Sequence, residues 1–201
     1  MNYDKRLTQV KKHALHVAYD DTAKLVFFSD CHRNDGSTAD HFRHNNLHYH
    51  VALHHYFAEG FTYFELGDGN ELWENRSFRY IAKWEADTFS LLKKFFNLDR
   101  FYMIYDNHDM VKSCPHWAQI NLQHFQPNCH SENSPIMPNL AIHEGVLLQH
   151  EERKQPILLL HRHQADFFND RLWEAQPLVG SLCMEASDLT GSEESFFHRQ
   201  R

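Results

Sequence analysis

Four short apolar runs in this 201-residue chain each stop abruptly at residues able to ligate a metal. Leu25 to Phe28 runs into Ser29, Asp30 and His32, and the run ending at Leu66 into Gly67, Asp68 and Glu71. The run Phe101 to Tyr105 meets Asp106, Asn107, His108 and Asp109, and Ile157 to Leu160 meets His161, Arg162 and His163. Runs rich in β-branched and aromatic residues read as buried strands. In open α/β sheets, ligands bind outside the carboxyl ends of the strands. One strand with a polar tail carries little information; four in succession predict an α/β fold with a single site at one edge.

The intervening segments fit that frame. Tyr3 to Val17 is expected to be a short amphipathic helix carrying Leu7 and Val10 on one face. A second helix is expected from Ala39 to Glu59, with Tyr49, Leu53, Tyr56 and Phe57 as its apolar side and Gly60 as its stop. A third is expected from Glu74 to Phe96. Strands at 25–28, 61–66 and 100–105 then make β-α-β-α-β, which implies parallel pairing and right-handed crossovers. Four prolines interrupt residues 110–139, leaving a helix near 116–125. Residues 140–143 and 146–150 read as two strands of a hairpin around Glu144 and Gly145. A helix is expected over 165–176, and Gly, Ser, Asp and Glu dilute the chain from 180 to 201 toward poor order. The chain is expected to form one domain.

Composition narrows the partners. The net charge is −7 with no Lys/Arg cluster, which argues against a nucleic-acid backbone. No run approaches the ~20 apolar residues of a membrane span, and the N-terminus lacks a signal-type apolar segment. The four cysteines form no C-x-x-C pair, as expected of reduced thiols, and the chain is expected to be soluble and cytoplasmic. With 18 histidines, only position relative to the strands nominates a histidine as a ligand. The dense histidine run of residues 41–55 is expected to be a solvated face, and Trp73 and Trp84 are expected in the core.

Asp30, His32, Asp68, Asn107 and His161 form an oxygen and nitrogen set suited to Mn²⁺, Fe or Zn²⁺. A carboxylate shared between two such ions would hold them ~3.5–4 Å apart, as in two-metal hydrolysis. His108 is then placed to act as general acid to a leaving oxygen, with Asp109 orienting it. His163 rivals His161 as the late ligand. Arg33 is a phosphate-binding candidate or a solvated loop residue, and Glu71 either supports ligands or caps the next helix.

Taken together, the order Asp30-x-His32, Gly67-Asp68-x-x-Glu71, Asn107-His108-Asp109 and a late histidine after a strand resembles the calcineurin-like metallophosphoesterase family. Gly67 to Trp73 resembles the branch with an acidic residue and Trp in this motif, to which a pyrophosphohydrolase of lipid A synthesis belongs. The resemblance covers roughly residues 24–170. It implies an α-β-β-α sandwich with a mostly parallel first sheet. It also implies two divalent metal ions (Mn, Fe or Zn) and a small phosphorylated substrate: a phosphomonoester, phosphodiester or pyrophosphate. Asp30 and His32 would hold the first metal, Asp68 would bridge, Asn107 and His161 would hold the second, and His108 would assist the leaving group. Arg162 would bring a cation beside the second metal, there to hold a substrate phosphate or to weaken metal binding. Asp106 stands where the family usually has Gly. The family's final Gly-His-x-His is absent, so the chain is expected to match the N-terminal part of such an enzyme. The second sheet is then expected to be incomplete, with weak metal binding and low or no turnover. A truncated or inactive relative that binds phosphorylated ligands and a metal-binding structural module are the alternatives.

Overall fold

The computed structural model describes residues 3–75, 77–124 and 135–161; the expected helix at 165–176, the tail 180–201, Arg162 and His163 lie outside them. The fold is α/β. Helix α1 (Tyr3–His13) leads into strand β1 (Leu15–Tyr19), and β2 (Leu25–Phe28), helix α2 (Asn46–Ala58) and β3 (Thr62–Leu66) follow. Helices α3 (Phe78–Trp84) and α4 (Ala86–Phe96) precede β4 (Phe101–Ile104). A 3₁₀ turn (Asn107–Ser113), helix α5 (Pro115–Ala118) and a π turn (Gln119–His124) come next. Strands β5 (Ile142–His143), β6 (Val146–His150) and β7 (Ile157–Leu159) close the described chain.

Two sheets result: β2-β3-β4-β5, parallel throughout, and β1-β6-β7, in which β6 pairs parallel with β1 and antiparallel with β7. The order of the first sheet never reverses. Right-handed crossovers therefore put every connecting helix on one face. That face carries the larger core, where Tyr63, Phe101 and Met103 of the strands meet Leu53 of α2 and Phe89, Leu92 and Phe95 of α4. The opposite face is left without helices, and its apolar side chains need other cover. The second sheet supplies it: Phe64 and Ile104 pack with Val146 and Leu148, flanked by Leu15, Val17, Tyr19 and Leu159.

Several expectations change. The first helix stops at His13, because Leu15, Val17 and Tyr19 alternate with His16 and Ala18 and pair with β6. The second begins only at Asn46, after a 3₁₀ turn at Phe42–His44. The third breaks at Glu85, which is buried with its carboxylate accepting from Asn46 Nδ2 and Thr88 Oγ1 at 2.6 Å each. Residues 142–150 form no hairpin: β5 joins the first sheet and β6 the second, so Glu144 and Gly145 carry the chain from one sheet to the other. Trp73 and Trp84 are 56% and 50% exposed rather than core. The histidine face behaves as expected at His41, His44, His48, His54 and His55, which are exposed, while His50 bonds Thr88 Oγ1 at 2.6 Å. No helix among the described residues is long and apolar enough to cross a membrane.

Candidate metal centre

The loops after β2 and β3 stay zipped beyond the strand ends. Asp30 N–H donates to the Gly67 carbonyl, His32 N–H to that of Asp68 (2.8 Å) and Arg33 N–H to that of Gly69, and Glu71 N–H returns to the Arg33 carbonyl. Asp30, His32 and Asp68 all take left-handed backbone, with φ of 55°, 46° and 49°. Such conformations cost non-glycine residues of order 1–3 kcal/mol each and cluster at functional sites. Three of them at three sequence-nominated ligands mark this loop pair as shaped for something other than stability.

Two groups of ligand atoms converge there, His32 with Glu71 and His108, and Asp30 with Asp68 and His161, the atoms of each lying within 4.8 Å of one another. His32 Nδ1 lies 2.9 Å from Glu71 Oε2, and His108 Nδ1 3.1 Å from the same oxygen. Asp68 links the groups: its Oδ1 accepts from the His108 N–H at 3.2 Å and its Oδ2 lies 3.7 Å from His32 Nε2. His161 arrives from the second sheet, its Nε2 3.5 Å from Asp30 Oδ1 and its Nδ1 paired with Asp106 Oδ2.

The electrostatics follow from these contacts. The Glu71 carboxylate raises both His32 and His108 above the ordinary imidazole range, outweighing burial, and is itself held well below the usual carboxylate range. Burial pushes the Asp68 carboxyl up, against the pull of His108. Burial also acts upward on Asp30, but its bond with Ser29 and the nearby His161 win and lower it. Three carboxylates gathered among imidazoles fit a divalent cation, and the O/N donor set fits Mn²⁺, Fe or Zn²⁺.

Asp30, His32, Asp68, His108 and His161 are thus brought together. Asn107 opens the 3₁₀ turn beside them, and its side chain lies outside the described residues. Two expected roles fail. Arg33 is fully buried and cannot reach a substrate: Nη2 bonds Glu65 Oε2 at 2.6 Å, Nη1 the Tyr49 hydroxyl at 2.8 Å and Nε Asn70 Oδ1 at 3.1 Å. Asp109 does not orient His108; its buried carboxylate accepts from the Asp106 N–H at 2.7 Å and from Lys112 Nζ at 2.6 Å. Glu71 holds the His108 ring instead.

Glu71, expected either to support ligands or to cap the next segment, does both: it holds the two imidazoles, and its Oε1 accepts from the N–H groups of Trp73 and Glu74. One contributor, Asp106, is new. Asp106 fixes the His161 ring, so that Nε2 faces the other ligands. Its backbone is extended (φ −140°, ψ −174°), so no glycine is needed there. The signal was in the sequence: a carboxylate directly at a strand end, read only as a departure from a motif.

Gly67, in contrast, is obligatory. Its φ is +97°, and an added Cβ would lie 2.8 Å from Asp106 Cβ and 2.9 Å from His161 Cγ. Gly60 has a similar φ of +82° with nothing within 4 Å. Gly60→Ala is therefore expected to cost only the backbone strain, about 1 kcal/mol. Gly67→Ala should cost more, about 1–3 kcal/mol, and lower bound metal as well. Thermal denaturation paired with metal content checks both variants.

Compared with known proteins, the chain matches no family model, and no curated protein or solved structure matches it significantly.

Proposed function

We propose that the chain is a two-metal hydrolase of phosphate esters. The observation that carries this reading is the meeting of Asp30, Asp68, Glu71, His32, His108 and His161 at the carboxyl ends of strands from both sheets. The resemblance to calcineurin-like metallophosphoesterases supports it, including the sandwich of two sheets. Asp30, His32, Asp68 and His161, with Asn107, would hold the ions. Bound there, two such ions supply a water of lowered pKa and neutralise phosphoryl oxygens.

The chain's own groups do the rest. Glu71 engages His108 through Nδ1, which leaves Nε2 as the nitrogen to protonate a leaving oxygen. The same carboxylate keeps His108 protonated to higher pH than an ordinary imidazole, as a general acid requires. Asp106 and Glu71 fix the rings of His161 and of His32 and His108, so that little reorganisation is needed when a substrate enters.

Metal analysis of the purified chain, with an aryl phosphate assay under added Mn²⁺, tests the reading. Metal bound without turnover would select a binding role instead, and no metal would remove both. A leaving-group acid matters most where the leaving group is poor. His108→Ala is accordingly expected to slow alkyl phosphates by about 10²–10⁴-fold and nitrophenyl phosphate far less; equal slowing would make His108 a positioning residue.

A further inference from the structure

Beside the metal ligands, a groove of ≈ 470 Å³ opens between the edge strand β2 and helix α2. Asp30 and His32 form one wall, Phe28, Phe42, Tyr49 and Ala52 the floor, and His41 and His48 the rim. This volume falls within the roughly 300–1,000 Å³ usual for small-molecule sites and exceeds what a bare phosphate needs. The floor is built: Phe42 and Tyr49 are buried, and the rings of Phe28 and Phe42 meet Tyr49 edge-on at centroid distances of 5.3 and 5.4 Å. Among the described residues, no Lys or Arg lines it. A second phosphate or a carboxylate would face Asp30 with only imidazoles, and no Lys or Arg, to offset it, whereas the aromatic floor offers an uncharged ring apolar cover. His32, which borders the groove, has its ring 4.7 Å from the His108 ring, so the groove adjoins the proposed acid through His32.

We propose that this groove receives the leaving group, and that the preferred substrate is a phosphomonoester of an uncharged, ring-bearing alcohol. The inference rests on the phosphoesterase reading above. In the reaction the bond between phosphorus and the alcohol oxygen breaks, a bond from phosphorus to a water oxygen forms, and the alcohol oxygen takes a proton from His108. The proton lost by the water restores His108, and the ring leaves through the groove.

The test uses two non-hydrolysable probes, benzylphosphonate and methylphosphonate, titrated calorimetrically into the full chain with Mn²⁺. Benzylphosphonate should bind at least about tenfold tighter, which is about 1.4 kcal/mol. Ala52→Trp should reduce benzylphosphonate affinity to the methylphosphonate level, with Mn²⁺ content as the control for folding. Ala52→Leu, which fills less of the groove, should give part of the same loss if the Trp variant does not fold. Equal binding of the two probes by the unmodified chain would overturn the groove assignment and leave the phosphoesterase reading standing. If neither phosphonate bound while Mn²⁺ was held, the phosphate reading would fail. Benzyl alcohol would then decide the groove: amide shifts at Phe42 and Tyr49 that vanish in Ala52→Trp would keep it as a ring-binding site, and no shifts would remove it too.

Discussion

Asp68→Ala is expected to release both metal ions together and to abolish phosphatase activity. Asp68 is the residue whose carboxylate touches both ligand groups, through His108 N–H and His32 on one side and beside Asp30 and His161 on the other. On the two-metal reading, each ion loses its shared anion in this variant. The remaining groups cannot compensate: Glu71 is committed to His32 and His108, and Asp106 to His161. Burial of Asp68 adds to the effect, because a buried carboxylate with raised pKa is stabilised most by a cation close to it. Metal content by elemental analysis provides the measurement. Loss of one ion with the other retained at its original affinity would count against bridging. Asp68→Asn keeps the shape and one oxygen, and should show the same joint loss in milder form.

The second large effect falls on stability. Arg33, Glu65, Lys112 and Asp109 are all buried and together carry two charges of each sign. Arg33 meets Glu65 at 2.6 Å, Lys112 meets Asp109 at 2.6 Å, and Lys112 Nζ lies 3.8 Å from Glu65. Burial pushes the Glu65 carboxyl up, but Arg33 and Lys112 win and hold it below its ordinary value. Gly69 lets the chain pass over this pair, since a Cβ there would lie 2.0 Å from Glu65 Oε1. Removing one partner of a buried pair leaves an uncompensated charge and costs about 3–5 kcal/mol, whereas replacing both by apolar groups is often neutral. Arg33→Met should therefore lower Tm by roughly 10 °C in a chain of this size. Arg33→Met combined with Glu65→Leu should recover most of that loss. Thermal denaturation of the two variants gives the comparison. A double variant no better than the single one would show that Arg33 matters for its bonds to Tyr49 and Asn70 rather than for its charge.

The strands that carry ligands were legible because their signal is local: an apolar run, then a polar stop. Parallel pairing of β2, β3 and β4 followed from the helices between them. What the chain conceals is partnership across distance. Leu15 to Tyr19 alternates as a strand should, yet its neighbour β6 lies far along the chain, and helical spacing from α1 ran over it. The hairpin reading of residues 140–150 failed for a similar reason. Proximity favours pairing of adjacent strands, but here each had a better partner in a different sheet. Arg33 could not be told from a phosphate ligand, since its burial depends on Glu65 and Tyr49 folding over it. Asp109 lies next to His108 in sequence, but the turn sends its carboxylate toward Lys112, while Glu71, 37 residues away, reaches the imidazole.

The seam between the sheets runs through the candidate centre. His161 is delivered by the three-stranded sheet, and Asp30, Asp68 and Asp106 by the four-stranded one. An ion gripped by Asp30, Asp68 and His161 would act as a rivet through both leaves of the sandwich, in addition to the covalent crossings between β1 and β2 and at Glu144 and Gly145. Such an ion would bind the assembled leaves and not the separated ones, so occupancy would become mechanical reinforcement: about 2.7 kcal/mol at a free concentration one hundred times Kd. The same coupling runs the other way. A misfilled Phe64–Val146 layer that let one leaf slip by a fraction of an ångström would loosen the grip on the ion without altering a single ligand.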